Sequence, residues 1–295
     1  DELRDAYESC LPLLSEHATF VGQHQALFEA YQSLADSEHF KTLNTAQQKV
    51  ITNALRDFKL SGIALNDEDK KRYGEIVTHL SELGSSFSNN ILDATHAFTV
   101  NITDEADIAG LPESAKEAAK ALAESREQTG WLFTLDYPSY LPVMTYCENR
   151  ELREKMYHAF VTRASEIGPS AGEFDNSAIM AETLKLKHEV AQLLGFENFA
   201  LKSLATKMAN SIDEVMGFLE DLAVKSKAQG QRDFDEVIKF AQDECDATDI
   251  QAWDLPFYSE KLKQSRYAIS DEELRPYFPE DKVLSGLFTT VNKLF

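Results

Sequence analysis

The feature that most constrains the chain is a spacing. From Asn66 onward, apolar residues return every three or four positions, at Tyr73, Ile76, Val77, Leu80, Leu83, Phe87, Ile91 and Phe98. A period near 3.6 gathers them on one face of a helix, whereas a strand, with its period of two, would scatter them over both faces. Asn66 followed three residues later by Asp69 is a helix start, so the spacing predicts one helix from 66 to about 96, roughly 45 Å long at 1.5 Å per residue. A second long helix is predicted from Ser211, where Glu214 completes a capping box, through Val215, Phe218 and Leu222 toward Phe234, Val237 and Ile238. Gly230 is its natural point of interruption.

The same reading predicts helices at 12–34, 43–60, 113–128, 149–165, 175–194, 251–264 and 281–295. Only FTVNIT (98–103) and GWLFTLD (130–136) read as strands, the second with Trp131, Phe133 and Leu135 alternating. They are expected to pair as one small ribbon around the 113–128 helix. The expected fold is therefore mostly α: a multi-helix array with long antiparallel helices and one small β ribbon. No repeat of 20 to 50 residues, low-complexity tract or Gly/Ser/Pro linker divides the sequence, so residues 1–295 are expected to form one helical portion.

Composition narrows the functions. A hydrophobic content of 43% is that of a globular chain with a core, and a formal charge of -21, from 50 acids against 29 bases, opposes capture of phosphate backbones or anionic lipid. Neither nucleic acid nor a membrane is an expected partner. Cys10, Cys147 and Cys245 are few and far apart, which suits a reducing compartment such as the cytoplasm. No apolar run approaches the roughly 20 residues of a membrane span, and the acidic N-terminus is unlike a signal peptide. The sequence starts at Asp1 without a Met and ends at Phe295 within the amphipathic VLSGLFTTVNKLF. A segment of a longer chain is expected.

One stretch, KHEVAQLLGF (187–196), begins like the His-Glu-x-x-His zinc motif, in which two imidazoles four residues apart share a helix face and the Glu is the general base. Position 192 is Gln, whose amide is a poor ligand for zinc. Along the 175–194 helix, residues 179, 183, 186, 190, 193 and 194 form the core stripe, and His188 falls on the opposite side. Gly195 can take the left-handed conformation that ends the helix, with Phe196 packing back on Val190 or Ala191. The segment reads as a helix end.

Other constellations are equally plain. His17 and His24 are two turns apart, too far for one zinc, and Glu154 with His158 is an i,i+4 pair capable of a surface hydrogen bond or an acid/base couple, the surface pair being the better reading. No G-x-S-x-G, P-loop or G-x-G-x-x-G occurs. No residue is assigned as catalytic or as a metal ligand, and no metal is expected on these residues.

Five blocks carry a family resemblance: DELRDAYESCLPLLSEH at the start, RYGEIVTHLSELGSSFSNNILDAT (72–95), GWLFTLDYPSYLPVMTYCENRELREKMYHAFVTRAS (130–165), DNSAIMAETLKLKHEVAQLLGFENFALKSLATKMA (175–209) and AWDLPFYSEKLKQSRYAISDEELRPYFP (252–279). In order and over nearly the whole chain, they closely resemble the N-terminal, non-catalytic half of the thimet oligopeptidase family of zinc metallopeptidases. The resemblance implies a helical body split by a deep channel, with zinc at its floor and a His-Glu-x-x-His helix downstream of the position matching Phe295. In the implied mechanism zinc polarises the scissile carbonyl and activates a water that a Glu deprotonates.

The resemblance thus implies a fragment of a zinc-dependent endopeptidase for short peptides, partnered by a missing C-terminal catalytic half. This chain would supply one wall of the channel, restrict substrate size and be inactive alone. No family ligand or base has a matching position here. Trp253, Phe257 and Tyr258 read as core aromatics, Arg150 and Arg153 as surface-paired residues at a helix start, and Tyr137 or Tyr140 as a conjectural peptide contact. The alternative is a freestanding helical binding or adaptor module.

Overall fold

Helix ends are set where side chains can take up orphaned backbone N–H groups. In the computed structural model, which describes residues 2–268 and 271–295, Asn66 Oδ1 accepts the Asp69 N–H at 2.9 Å and Ser211 Oγ accepts the Glu214 N–H at 3.1 Å. These two caps begin the two longest helices. The order is α1 (Glu2–Gly22), α2 (Gln25–Ala35), α3 (Glu38–Thr42), α4 (Thr45–Leu60), α5 (Asp67–Ala97), β1 (Thr99–Ile102), α6 (Glu113–Ser125), β2 (Trp131–Thr134) and α7 (Tyr137–Tyr146). It continues with α8 (Arg150–Val161), α9 (Ser177–Leu193), α10 (Phe199–Leu204), α11 (Ile212–Cys245), α12 (Leu255–Tyr267), α13 (Asp271–Leu274) and α14 (Glu280–Leu294). The fold is mostly α with one two-stranded antiparallel sheet, as the periodicity implied.

Several predicted boundaries are corrected. The helix expected over 12–34 is two, because His24 caps α2 by accepting the Leu27 N–H on Nδ1 at 3.2 Å. Gly230 does not interrupt α11, which runs through it to Cys245. The unpredicted α7 carries Pro138 in its first turn, where no intrahelical N–H is needed, and tolerates Pro142 inside.

The chain forms two compact units interleaved in sequence, which is why no linker marks them. One runs through Leu92 and adds Ala164–Glu166 and Gly172–Val224; the other comprises Asp93–Arg163, Ile167–Ala171 and the chain from Lys225 on. In the first, Tyr73 and Ile76 of α5 are buried with Leu186 and Val190 of α9, while Phe28 and Tyr31 of α2 meet Phe58 of α4. Buried Asn176 adds a polar clasp, its amide donating to the Phe87 carbonyl at 3.1 Å and its oxygen accepting from Asn90 at 2.8 Å.

In the second unit, β1 and β2 pair with Val100 opposite Phe133 and Ile102 opposite Trp131. Val100 and Phe133 join Ile108, Val143, Met144 and Met156 in a core that draws on β1, β2, α7 and α8. Gly130 makes the approach to β2 possible: at φ +95, a Cβ there would lie 2.1 Å from the Ile102 carbonyl oxygen.

Candidate functional site

Each residue of the near-motif on α9 has a structural partner or none at all. His188 is exposed, opposite buried Leu186 and Val190. Glu189 takes a two-pronged ion pair from Arg72 of α5, Nε to Oε1 at 2.6 Å and Nη2 to Oε2 at 2.9 Å. The hydrogen bond from Arg72 is the main reason its carboxyl lies below the usual glutamate range. Gln192 reaches past the helix end, donating to the carbonyls of Phe196 (3.2 Å) and Glu197 (2.8 Å).

The helix ends as expected. Gly195 sits at φ +79, its N–H bonded to the Gln192 carbonyl at 3.0 Å, and the Phe196 N–H reaches the Ala191 carbonyl at 2.8 Å. These are the two bonds of a Schellman motif. A carboxylate engaged by a guanidinium, and an amide spent on a turn, offer no base and no ligand.

A denser cluster joins α8 to the start of α12. Arg153, expected at the surface, is instead 1% exposed, as is Asp254. Arg153 Nη2 donates to Asp254 Oδ1 at 2.8 Å and its Nη1 to the Cys147 carbonyl at 2.6 Å; Arg150 Nε donates to Asp254 Oδ2 at 3.0 Å and its Nη2 to the same oxygen at 2.9 Å. Burial alone would raise the Asp254 carboxyl, but hydrogen bonds from both arginines and the Gln251 backbone outweigh it and hold it below the usual range. The Arg153 guanidinium also lies 4.1 Å over the Phe257 ring. Burial reverses the surface expectation because one carboxylate serves two guanidinium groups while backbone carbonyls take further protons. Asp254 was not singled out from sequence; its signal is the Asp of AWDLPFY set against two arginines three apart.

The remaining residues are structural in placement. Phe257 is buried, Trp253 and Tyr258 are half-buried, and Trp253 packs on Tyr157 with ring centroids 6.0 Å apart. Tyr140 is buried, stacked on Phe160 at 4.0 Å, and burial pushes its hydroxyl up to about 12. Tyr137 is exposed. Glu154 and His158 are exposed on α8, and His24 serves as a helix cap. Cys10, Cys147 and Cys245 are free thiols. Among the described residues no group of three or more His, Cys, Asp or Glu side chains is placed to hold a metal. Nor is any described helix long and apolar enough to cross a membrane.

The family model described as peptidase family M3 matches residues 143–295, just over half of the chain. The chain belongs to peptidase family M3. A second model, the neurolysin/thimet oligopeptidase N-terminal domain, matches residues 1–70. Among curated M3 relatives, oligopeptidase A of Salmonella typhimurium and that of Escherichia coli are each 58% identical over 294 residues, covering 100% of this chain and 43% of the relative. The probable cytosolic oligopeptidase A of Arabidopsis thaliana is 39% identical over 303 residues, covering 42% of its length. The chain therefore spans less than half the length of these relatives, and the cluster built on Arg150, Arg153 and Asp254 lies inside the matched M3 region.

Proposed function

We propose that the chain is the N-terminal, non-catalytic part of a zinc-dependent oligopeptidase of the cytoplasm, contributing a helical wall of the channel that admits short peptides. The observation that carries this reading is an apolar stripe that no described residue covers. In α14, Val283, Leu284, Leu287, Phe288, Val291 and Leu294 recur at helical spacing, yet no residue of the helix is buried and Phe288 is 64% exposed. On α11, Phe218, Leu219 and Leu222 are likewise exposed.

An exposed apolar stripe of this kind marks an interface, and an amphipathic helix gains most of its stability from packing that face. We take the occupant to be the remaining part of the same protein, a reading supported by the chain's matching only 43% of the length of its relatives. Zinc, its ligands and the general base are assigned to that part. The chain alone then restricts which substrates reach the site and performs no cleavage.

The test is assembly. Mixed with the separately produced remainder of the Escherichia coli relative, the chain should form a one-to-one complex in sedimentation, and Leu287→Glu with Phe288→Glu should abolish it. A chain that ignores the remainder but captures other proteins through the same stripe would establish the freestanding adaptor instead.

A further inference from the structure

A groove runs along α6 past Tyr137, lined by none of the residues of the α9 near-motif or of the Arg150–Asp254–Arg153 cluster. Two adjoining cavities, of about 370 and 290 Å³, share Ala115, Ala118 and Pro138 and so form one trough. Its floor is the small-residue face of α6. Its rims include Pro112, Tyr137, Leu141 and Pro142, with Tyr137 62% and Leu141 42% exposed.

Three properties specify an occupant. First, length: Pro112 to Leu122 spans about 15 Å of helix, which matches about five residues of polyproline II at 3.1 Å each. Second, rim chemistry: Pro138 and Pro142 line the groove beside Tyr137 and Tyr146, a rim of flat rings with few polar groups. Third, charge: on a chain of 50 acids and 29 bases, the one charged residue lining either cavity is Asp136, at the β2 end.

Asp136 is available. It stands at the N-cap of α7 without making a cap bond, accepts from Thr134 Oγ1 at 3.0 Å and lies 3.8 Å from His96 Nε2. Its side chain is 50% exposed, and among the described residues no Lys or Arg is within ion-pairing distance, although the Arg163 charge acts on it from further away. Flat proline and tyrosine rims over a shallow apolar floor suit a ligand already extended in solution, which loses little entropy on docking.

We propose that the groove between α6 and α7 docks a short extended peptide, proline-containing and free of acidic side chains, that enters with its ammonium end against Asp136. The kind of occupant rests on the peptidase reading. Binding here and cleavage by the complemented protein are measured separately, so either can fail alone.

The probe is Pro-Leu-Pro-Pro-Ala carrying a C-terminal fluorescein, titrated with the 295-residue chain and read by anisotropy. Saturable binding is expected, weakened about two- to fivefold by N-acetylation or by Asp136→Asn, as for an exposed ion pair. Leu141→Asp, on an exposed rim and checked for an unchanged circular dichroism spectrum, should weaken it tenfold or more, roughly the effect of losing a central apolar anchor. Absence of saturation at millimolar chain, equal binding of Pro-Glu-Pro-Glu-Ala, or indifference to Leu141→Asp would overturn the proposal.

Discussion

Arg72 and Glu189 lie side by side across α5 and α9, their two hydrogen bonds at 2.6 and 2.9 Å joining positions 117 residues apart in sequence. The pair occupies the one glutamate that a zinc motif would have made a base.

Its pH dependence follows from sign. The hydrogen bond from Arg72 holds the folded Glu189 carboxyl below its unfolded value, so the stabilisation is present above the ordinary glutamate pKa of about 4.3 and is lost as pH falls through the folded value. Urea midpoints of the chain and of Glu189→Gln should differ modestly at neutral pH and converge below about pH 4. The gap should also shrink with added salt, because both side chains are partly exposed. A gap that widened in acid would refute this assignment.

The helix end on α9 predicts opposite outcomes for two neighbours. Gly195→Val forces a β-branched residue into φ +79 and should cost about 1–2 kcal/mol, although a Cβ there meets nothing within 4 Å. His188→Ala removes an exposed ring and should be nearly silent. Denaturant titration of the two variants decides it, and reversed magnitudes would mean that His188 has a partner.

The Arg150–Asp254–Arg153 cluster predicts strong coupling. Asp254→Ala strands a buried guanidinium and should destabilise by about 3–5 kcal/mol, whereas adding Arg153→Met to that variant should restore much of the loss. Thermal unfolding of four chains, the parent, Asp254→Ala, Arg153→Met and the double variant, forms the cycle. Additive losses would show that the two residues do not act together.

Much of this fold was legible because its helices are long and periodic: α5, α9 and α11 declare themselves through Ile76, Val190 and Phe218. The ribbon was legible through the alternation of Trp131 and Phe133. What escaped depends on context. Proline ordinarily breaks a helix, yet Pro138 occupies a position that needs no N–H and Pro142 costs one bond that α7 survives. His24 is an uncommon cap, so the division between α1 and α2 was hidden.

Arg153 was the deepest miss. Charge predicts exposure, and only the fold brings Asp254 and the Cys147 carbonyl to it. The near-motif was discounted at Gln192, and the employment of Glu189 and Gln192 lay in partners that no local spacing shows.

The central claim is that this chain contributes structure and substrate restriction while the chemistry resides in the rest of the protein. The most direct measurement is cleavage of a short quenched fluorescent peptide by the pure 295-residue chain, and by the same chain combined with the remaining part of an oligopeptidase A, each with and without a chelator. The account predicts no cleavage by the chain alone and chelator-sensitive cleavage by the combination. Chelator-sensitive cleavage by the chain alone would contradict it.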